Sequence, residues 1–322
     1  MVKQLKIVMA FMQLIRWPNL LIMTITMYFI RWFILKPLLT VSGFRVQLGI
    51  IQFAVLVLST ILIAAAGYII NDYFDRKTDL INRPGKVIVG RLIKRRYAMF
   101  FHILFTALGV LAGAYISLQI GRLSLTLIFV FASGVLWLYS TTYKRQILVG
   151  NIVISMLVGI VPLLVLLFEI PLLVRKYKFY VLAAGMSFDI LIVWICCYAG
   201  FAFLINLIRE IIKDMEDFEG DYIFGRQTIP IAWGMQLTRY IVVGIIGIAL
   251  VPIFYLLMFH LTDKISFIYI VLFIVMPLFL IAFGVFWANS KNQYHTLSRI
   301  IKLVMLAGLL YCPIANYIIS HR

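Results

Sequence analysis

The chain has 322 residues, 64% of them hydrophobic and only 13% charged. A soluble domain is about half apolar and a quarter charged, so a water-soluble multidomain protein is excluded. The net charge of +17 does not point to nucleic acid, because the basic residues lie in short stretches beside apolar runs, where the positive-inside bias of membrane proteins accounts for them.

Nine runs are long and apolar enough to cross the ~30 Å hydrocarbon core as helices. They lie at about 19–38, 49–70, 98–117, 123–141, 147–168, 180–207, 238–258, 266–288 and 298–318. Helices are expected rather than a β-barrel, which would show short alternating segments. The first run follows Lys3, Lys6 and Arg16 without a small-residue cleavage site, so it is expected to stay in the membrane. With the N-terminus inside, the cytoplasmic segments carry 20 of the 29 basic residues, and an odd number of spans leaves the C-terminus outside. The chain reads as an all-α integral membrane protein, multi-pass in the cell membrane with a cytoplasmic N-terminus, forming a single domain over residues 1–322.

Two connections, about 71–97 and 208–237, are longer than the rest. Each follows an even-numbered span, so both are expected on the cytoplasmic face. They also hold nine of the twelve acidic residues: Asp72, Asp75 and Asp79 in the first, and Glu210, Asp214, Glu216, Asp217, Glu219 and Asp221 in the second. Asp72, Asp75 and Asp79 stand at i, i+3 and i+7, as do Asp214, Asp217 and Asp221. That spacing puts each trio on one face of a helix continuing out of the membrane.

Three like charges on one face repel, so each trio calls for something positive. A salt-bridged helix end using Arg76, Lys77, Arg83 and Lys86, or Arg209 and Lys213, would suffice for either trio alone. Two matched trios suit a ligand that is both metal-bound and anionic. Magnesium takes oxygen ligands and commonly uses one or two carboxylates with phosphate oxygens and water, while Lys and Arg bind the remaining anionic oxygens. A diphosphate head at the mouth of an apolar helical bundle implies a greasy tail, as in an isoprenyl diphosphate. No EF-hand pattern and no Walker loop is present, which disfavours calcium sensing and ATP hydrolysis. A cation transporter would place ionisable residues near the bilayer midplane, and the spans are nearly uncharged. A non-catalytic lipid-binding scaffold would need no matched acidic trios.

Residues 71–79, Asn-Asp-Tyr-Phe-Asp-Arg-Lys-Thr-Asp, resemble the NDxxDxxxD motif of the UbiA-type intramembrane prenyltransferase superfamily. Asn82-Arg83-Pro84 through Gly90 is similar to the stretch that follows it there, with Lys86-Val87 where the family has Arg-Pro. The second segment, Arg209 to Asp221 with Gly225, Thr228 and Pro230 beyond it, resembles the family's second motif, in the form found in the branch containing digeranylgeranylglyceryl phosphate synthase. Arg16-Trp17-Pro18-Asn19 and Tyr139 to Asn151 are also similar to family stretches.

The resemblance implies transfer of a polyprenyl group, geranylgeranyl in this branch, from an allylic diphosphate to geranylgeranylglyceryl phosphate, or in the alternative to an aromatic quinone precursor. It implies Mg2+ as cofactor, held by Asn71, Asp72, Asp75, Asp79, Asp217 and Asp221, with Asp214 a further candidate and Asp75, Asp217 and Asp221 central to catalysis. Arg83, Lys144 and Lys213 are expected on diphosphate oxygens, and Arg16 and Asn19 at the acceptor end. Expected partners are the prenyl diphosphate, a lipid-soluble acceptor and membrane lipids, without nucleic acid.

Four other features carry expectations. Asp189 falls within the sixth run, either as a functional intramembrane carboxylate or near the outer end with access to water. Arg31 and Glu169 read as interfacial. The four histidines share no spacing with the acidic trios, and Cys196, Cys197 and Cys312, all inside runs, read as packing residues.

Overall fold

A computed structural model describes residues 2–82, 85, 87–183 and 187–321, with backbone alone for residues 2–4 and 181–183. Among the described residues there are nine helices long and apolar enough to span a membrane, as the hydropathy pattern predicts, and the sole β pairing is an isolated bridge between Val89 and Ile93. The helices are α1 Val2–Leu14, α2 Trp17–Val41, α3 Ile50–Asn82, α4 Arg95–Gln119, α5 Thr126–Thr141, α6 Val149–Ala183, α7 Asp189–Glu216, α8 Phe218–Ile223, α9 Ile229–Ala232, α10 Gly234–Phe259, α11 Lys264–Trp287 and α12 Lys291–Ser320. Two compact units emerge. One comprises Met1–Tyr28, Val46–Lys144 and Leu164–Ser187; the other comprises Phe29–Arg45, Arg145–Leu163 and Phe188–Arg322.

The first unit is built on α3, α4 and α5. Apolar helices in lipid associate through close backbone approach at small residues rather than through a hydrophobic drive. Gly109 of α4 lies so close to α3 that a Cβ there would meet Ile63 at 2.7 Å and the Ser59 carbonyl at 3.2 Å. The Ser59 hydroxyl donates to the Gly109 carbonyl across that gap at 2.7 Å. One turn on, Gly113 faces the Phe129 ring of α5, which a Cβ would meet at 2.3 Å. The short helix α1, which hydropathy alone did not single out, buries Ala10 and Leu14 against Ile69, Ile88, Val89, Ile93 and Ala98.

In the second unit α7 packs against α10 and α12, with Gly308 of α12 under the Phe201 ring and Gly159 beneath the Ala199 carbonyl. A capping box of Ser290 and Gln293 starts α12, and the Asp263 carboxylate caps α11 by accepting from the Ser266 amide at 2.7 Å. The π-helical turns Ile30–Leu35 and Val271–Val275 each sit just before a proline, Pro37 and Pro277. Proline removes an amide donor and crowds the carbonyl four residues back, so the ladder widens there.

Several expectations need correction. The sixth span starts at Asp189, not at 180, and the fifth span, α6, continues past 168 to Ala183 with a kink at Tyr177 (φ −105°, ψ 19°), between Lys176 and Lys178. Asp189 is the exposed first residue of α7, a position that agrees with the second of its two readings, a carboxylate near the outer end of the sixth span. Glu169 is buried and accepts from the Gln47 and Leu48 amides, the latter at 3.2 Å, so it ties a loop to α6. Arg31 is buried too, within the first π turn, with its guanidinium carbon 5.8 Å from the Trp32 ring centroid. Of the three free cysteines only Cys312 is buried; Cys196 and Cys197 are exposed.

Candidate active site

Helix α3 has 33 residues. About 20 suffice for the hydrocarbon core at ~1.5 Å each, so its last turns, which carry the first acidic motif, extend past what the core requires. Asn71, Asp72, Asp75 and Asp79 all lie on this one unbroken helix, as the i, i+3, i+7 spacing predicts.

Each of two carboxylates here has a basic partner. Asp72 accepts from Arg16 Nη2 at 3.0 Å. The same guanidinium lies 4.9 Å over the Tyr68 ring, whose hydroxyl accepts from Asn19 Nδ2 at 3.4 Å. Asp75 accepts from Lys144 Nζ at 2.7 Å, and that nitrogen also reaches Asn71 Oδ1 at 3.5 Å. The Lys144 and Asp75 side chains are only 5% and 11% exposed, which a charge tolerates when it is paired and hydrogen-bonded. Arg16 thus reaches Asp72 of the motif, Asn19 reaches only Tyr68, one turn before it on α3, and Lys144 rests on the Asp75 carboxylate.

Local backbone explains how these groups arrive. Arg16 has φ +51°, a left-handed conformation uncommon for a side chain larger than glycine, and it turns the chain from α1 into α2. Such strain persists where surrounding contacts over-determine it. Beyond α3, Gly90 has φ +84°, and a Cβ there would meet Arg76 Nε at 2.8 Å, so glycine lets the 88–93 turn close against that guanidinium. Arg83, with Pro84 and Lys86, lies outside the described residues.

The second motif departs from the single-face reading. Helix α7 ends at Glu216; Asp217 leaves helical geometry with φ −95° and ψ 10°, and Asp221 sits on the next short helix, α8. The trio is therefore split by a bend. Asp214 accepts from Asn151 Nδ2 at 2.8 Å. Behind that amide runs a buried ladder, with Ser155 Oγ donating to the Asn151 carbonyl at 2.6 Å and Asn206 Nδ2 donating to Ser155 Oγ at 3.2 Å. Lys213 and Arg209 both bond Glu210, at 3.0 and 2.6 Å. Buried Asp221 pairs with Arg226 at 3.1 Å, and Gly225, at φ +64°, provides the turn that brings Arg226 back. Glu216 is buried against His295 Nδ1 at 3.0 Å.

Sequence spacing missed Asn151, Asn206, Ser155, Arg226 and the His295–Glu216 pair. None shares a period with the motif it supports. Asn151 alone had a signal, as the last residue of a family-like stretch.

The donor set suits magnesium, being carboxylate and amide oxygen throughout with no nearby thiol. Among the described residues no three Asp, Glu, His or Cys side chains form a ready-made cage. Magnesium requires none, since it is commonly held by one or two carboxylates plus water and substrate phosphate.

Residues 38–306 match the model of the UbiA prenyltransferase family. Digeranylgeranylglyceryl phosphate synthase of Methanopyrus kandleri is 32% identical over 278 residues, covering 84% of this chain and 88% of that protein. The fold is similar to a structure solved for digeranylgeranylglyceryl phosphate synthase in membranes, with a TM-score of 0.61 at 21% identity over 97% of this chain and 99% of that one. It is also similar to a UbiA homolog from Archaeoglobus fulgidus bound to DMAPP and Mg2+, with a TM-score of 0.57 at 15% identity over 97% and 99%. A family pattern that begins in the first span and ends in the ninth covers most of the sequence, and the chain belongs to the UbiA prenyltransferase family.

Proposed function

We propose that this protein transfers a geranylgeranyl group from its allylic diphosphate to geranylgeranylglyceryl phosphate, forming an ether in membrane lipid synthesis. The observation that carries this reading is the 32% identity to digeranylgeranylglyceryl phosphate synthase over 84% of the chain. The intact NDxxDxxxD residues on the end of α3 support it, as does the Mg2+ bound with DMAPP in the solved homolog.

In this proposal Asn71, Asp72, Asp75 and Asp79 hold one magnesium ion, and Asp217 and Asp221, with Asp214, hold a second. When bound, the metal neutralises charge developing on the departing diphosphate. Lys144, Lys213 and Arg83 take diphosphate oxygens the metal leaves free. The bond between the allylic carbon and the diphosphate oxygen breaks, and the glycerol hydroxyl oxygen bonds to that carbon and loses its proton. Apolar walls keep water from the allylic cation. The whole chain acts as one domain, with its N-terminus and both motifs on the cytoplasmic side as the basic residues direct.

The test is to incubate purified protein with geranylgeranyl diphosphate, Mg2+ and either geranylgeranylglyceryl phosphate or an aromatic quinone precursor, reading diphosphate release and product mass. The expected result is a digeranylgeranyl ether with the first acceptor only. A prenylated aromatic product would reassign the acceptor, and no diphosphate release with either would overturn the proposal.

A further inference from the structure

The first motif presents its carboxylates already engaged by the chain's own cations. Arg16 lies 3.0 Å from Asp72 and Lys144 lies 2.7 Å from Asp75. These are neither neighbours in sequence nor members of the same helix: Arg16 comes from the left-handed turn before α2 and Lys144 from the 3-10 turn after α5. Lys144 additionally bonds the Asn71 amide oxygen at 3.5 Å. Asn71, Asp72 and Asp75 of the motif are thus contacted by two cationic heads.

A divalent ion cannot join a carboxylate while an ammonium stays 2.7 Å from it without strong repulsion, and burial weakens the screening. The cation must withdraw. Once it withdraws it needs a new anion, above all at Lys144, whose side chain is 5% exposed, because an unpaired buried charge is costly. The ligand that brings an anion with the metal is a phosphate-bearing one.

We propose that Arg16 and Lys144 are place-holding cations: each neutralises one carboxylate of the first motif until a divalent ion arrives, then turns to the incoming phosphate oxygens, so that metal and diphosphate bind cooperatively. The inference rests on the magnesium diphosphate reading above and adds an order to it. Metal alone binds weakly, diphosphate alone lacks its bridge, and the pair binds together. Coupling is reciprocal, so whatever factor diphosphate lends the metal, the metal lends diphosphate. The site would then resist filling with free cellular magnesium and load only with substrate. Asp221, paired with Arg226 at 3.1 Å, repeats the pattern in the second unit.

The prediction runs against the usual effect of deleting a site residue. Lys144→Met and Arg16→Gln remove a competitor for the carboxylate, so each should bind metal alone more tightly than the unmodified protein. Mn2+, which reports by electron paramagnetic resonance, is titrated into the full chain in detergent, first alone and then with inorganic diphosphate against a protein-free blank. The expected gain for Mn2+ alone is about tenfold, within the ~5–150-fold usual for coupled sites, with the enhancement by diphosphate shrinking by a similar factor. Arg16→Gln alters a partly exposed group and so provides the test where Lys144→Met does not yield a monodisperse protein. Folded variants that bind Mn2+ alone no better than the unmodified protein would overturn the place-holder role. Absence of Mn2+ binding by the unmodified protein even with diphosphate would instead remove the metal reading beneath it.

Discussion

Asn151 shows how a residue outside both motifs shapes one of them. Its amide donates to Asp214 at 2.8 Å, and the Ser155–Asn206 ladder behind it is buried. Residues that orient a ligand of a metal typically matter ~10–100-fold. Asn151→Ala should therefore lower kcat/KM by about tenfold or more, measured as initial rates of diphosphate release, and leave the thermal midpoint in detergent nearly unchanged; an unaltered rate would exclude the orienting role. Glu169 carries stability rather than chemistry. Its carboxylate accepts from two backbone amides in a buried setting, and hydrogen bonds to a charged group contribute roughly 1.5–3 kcal/mol. Glu169→Gln should lower the thermal midpoint without changing the rate per folded molecule. At this scale residue spacing was legible only for motif members, and Arg16 and Lys144 were named through the family resemblance alone. Asp72 and Asp75 could be named from spacing, whereas Arg16 and Lys144, 56 and 69 residues away from their partners, acquire neighbours only through folding.

Helix α4 illustrates what local composition can and cannot reveal. Its Gly109 and Gly113 sit against α3 and α5 with no space for a methyl group, whereas Gly244 and Gly247 of α10 face open space. Overpacking of this kind costs about 1–3 kcal/mol or more. Gly113→Ala is expected to lower the midpoint of thermal unfolding in detergent, and Gly247→Ala to leave it level or raise it, since alanine favours helix by ~1 kcal/mol. Equal behaviour of the two would contradict the packing scheme. Span number and type were readable because long apolar runs admit few alternatives in lipid. Boundaries were less so. The chain between Leu164 and Leu207 is apolar nearly throughout, with Arg175, Lys176 and Lys178 inside helix α6, so hydropathy placed the sixth start about nine residues early. The bend at Asp217 was equally hidden, since Glu-Asp-Phe-Glu-Gly contains no proline and its glycine lies three residues later.

For the whole molecule, each compact unit carries one acidic motif: Asp72, Asp75 and Asp79 fall in the first, Asp214, Asp217 and Asp221 in the second. The matched spacing of the trios, and not any feature within a unit, suggested that they serve one ligand. That idea distinguishes an enzyme from a pair of salt-bridged helix ends. Residues acting as a unit show gross non-additivity, because losing either removes nearly everything the two achieve together. The most direct measurement is a double-mutant cycle on single-turnover diphosphate release from geranylgeranyl diphosphate with Asp75→Asn, Asp217→Asn and the combination, each checked for membrane insertion. One shared site requires that the double variant be scarcely slower than either single variant. Independent losses that multiply, or single variants that turn over like the unmodified protein, would contradict it.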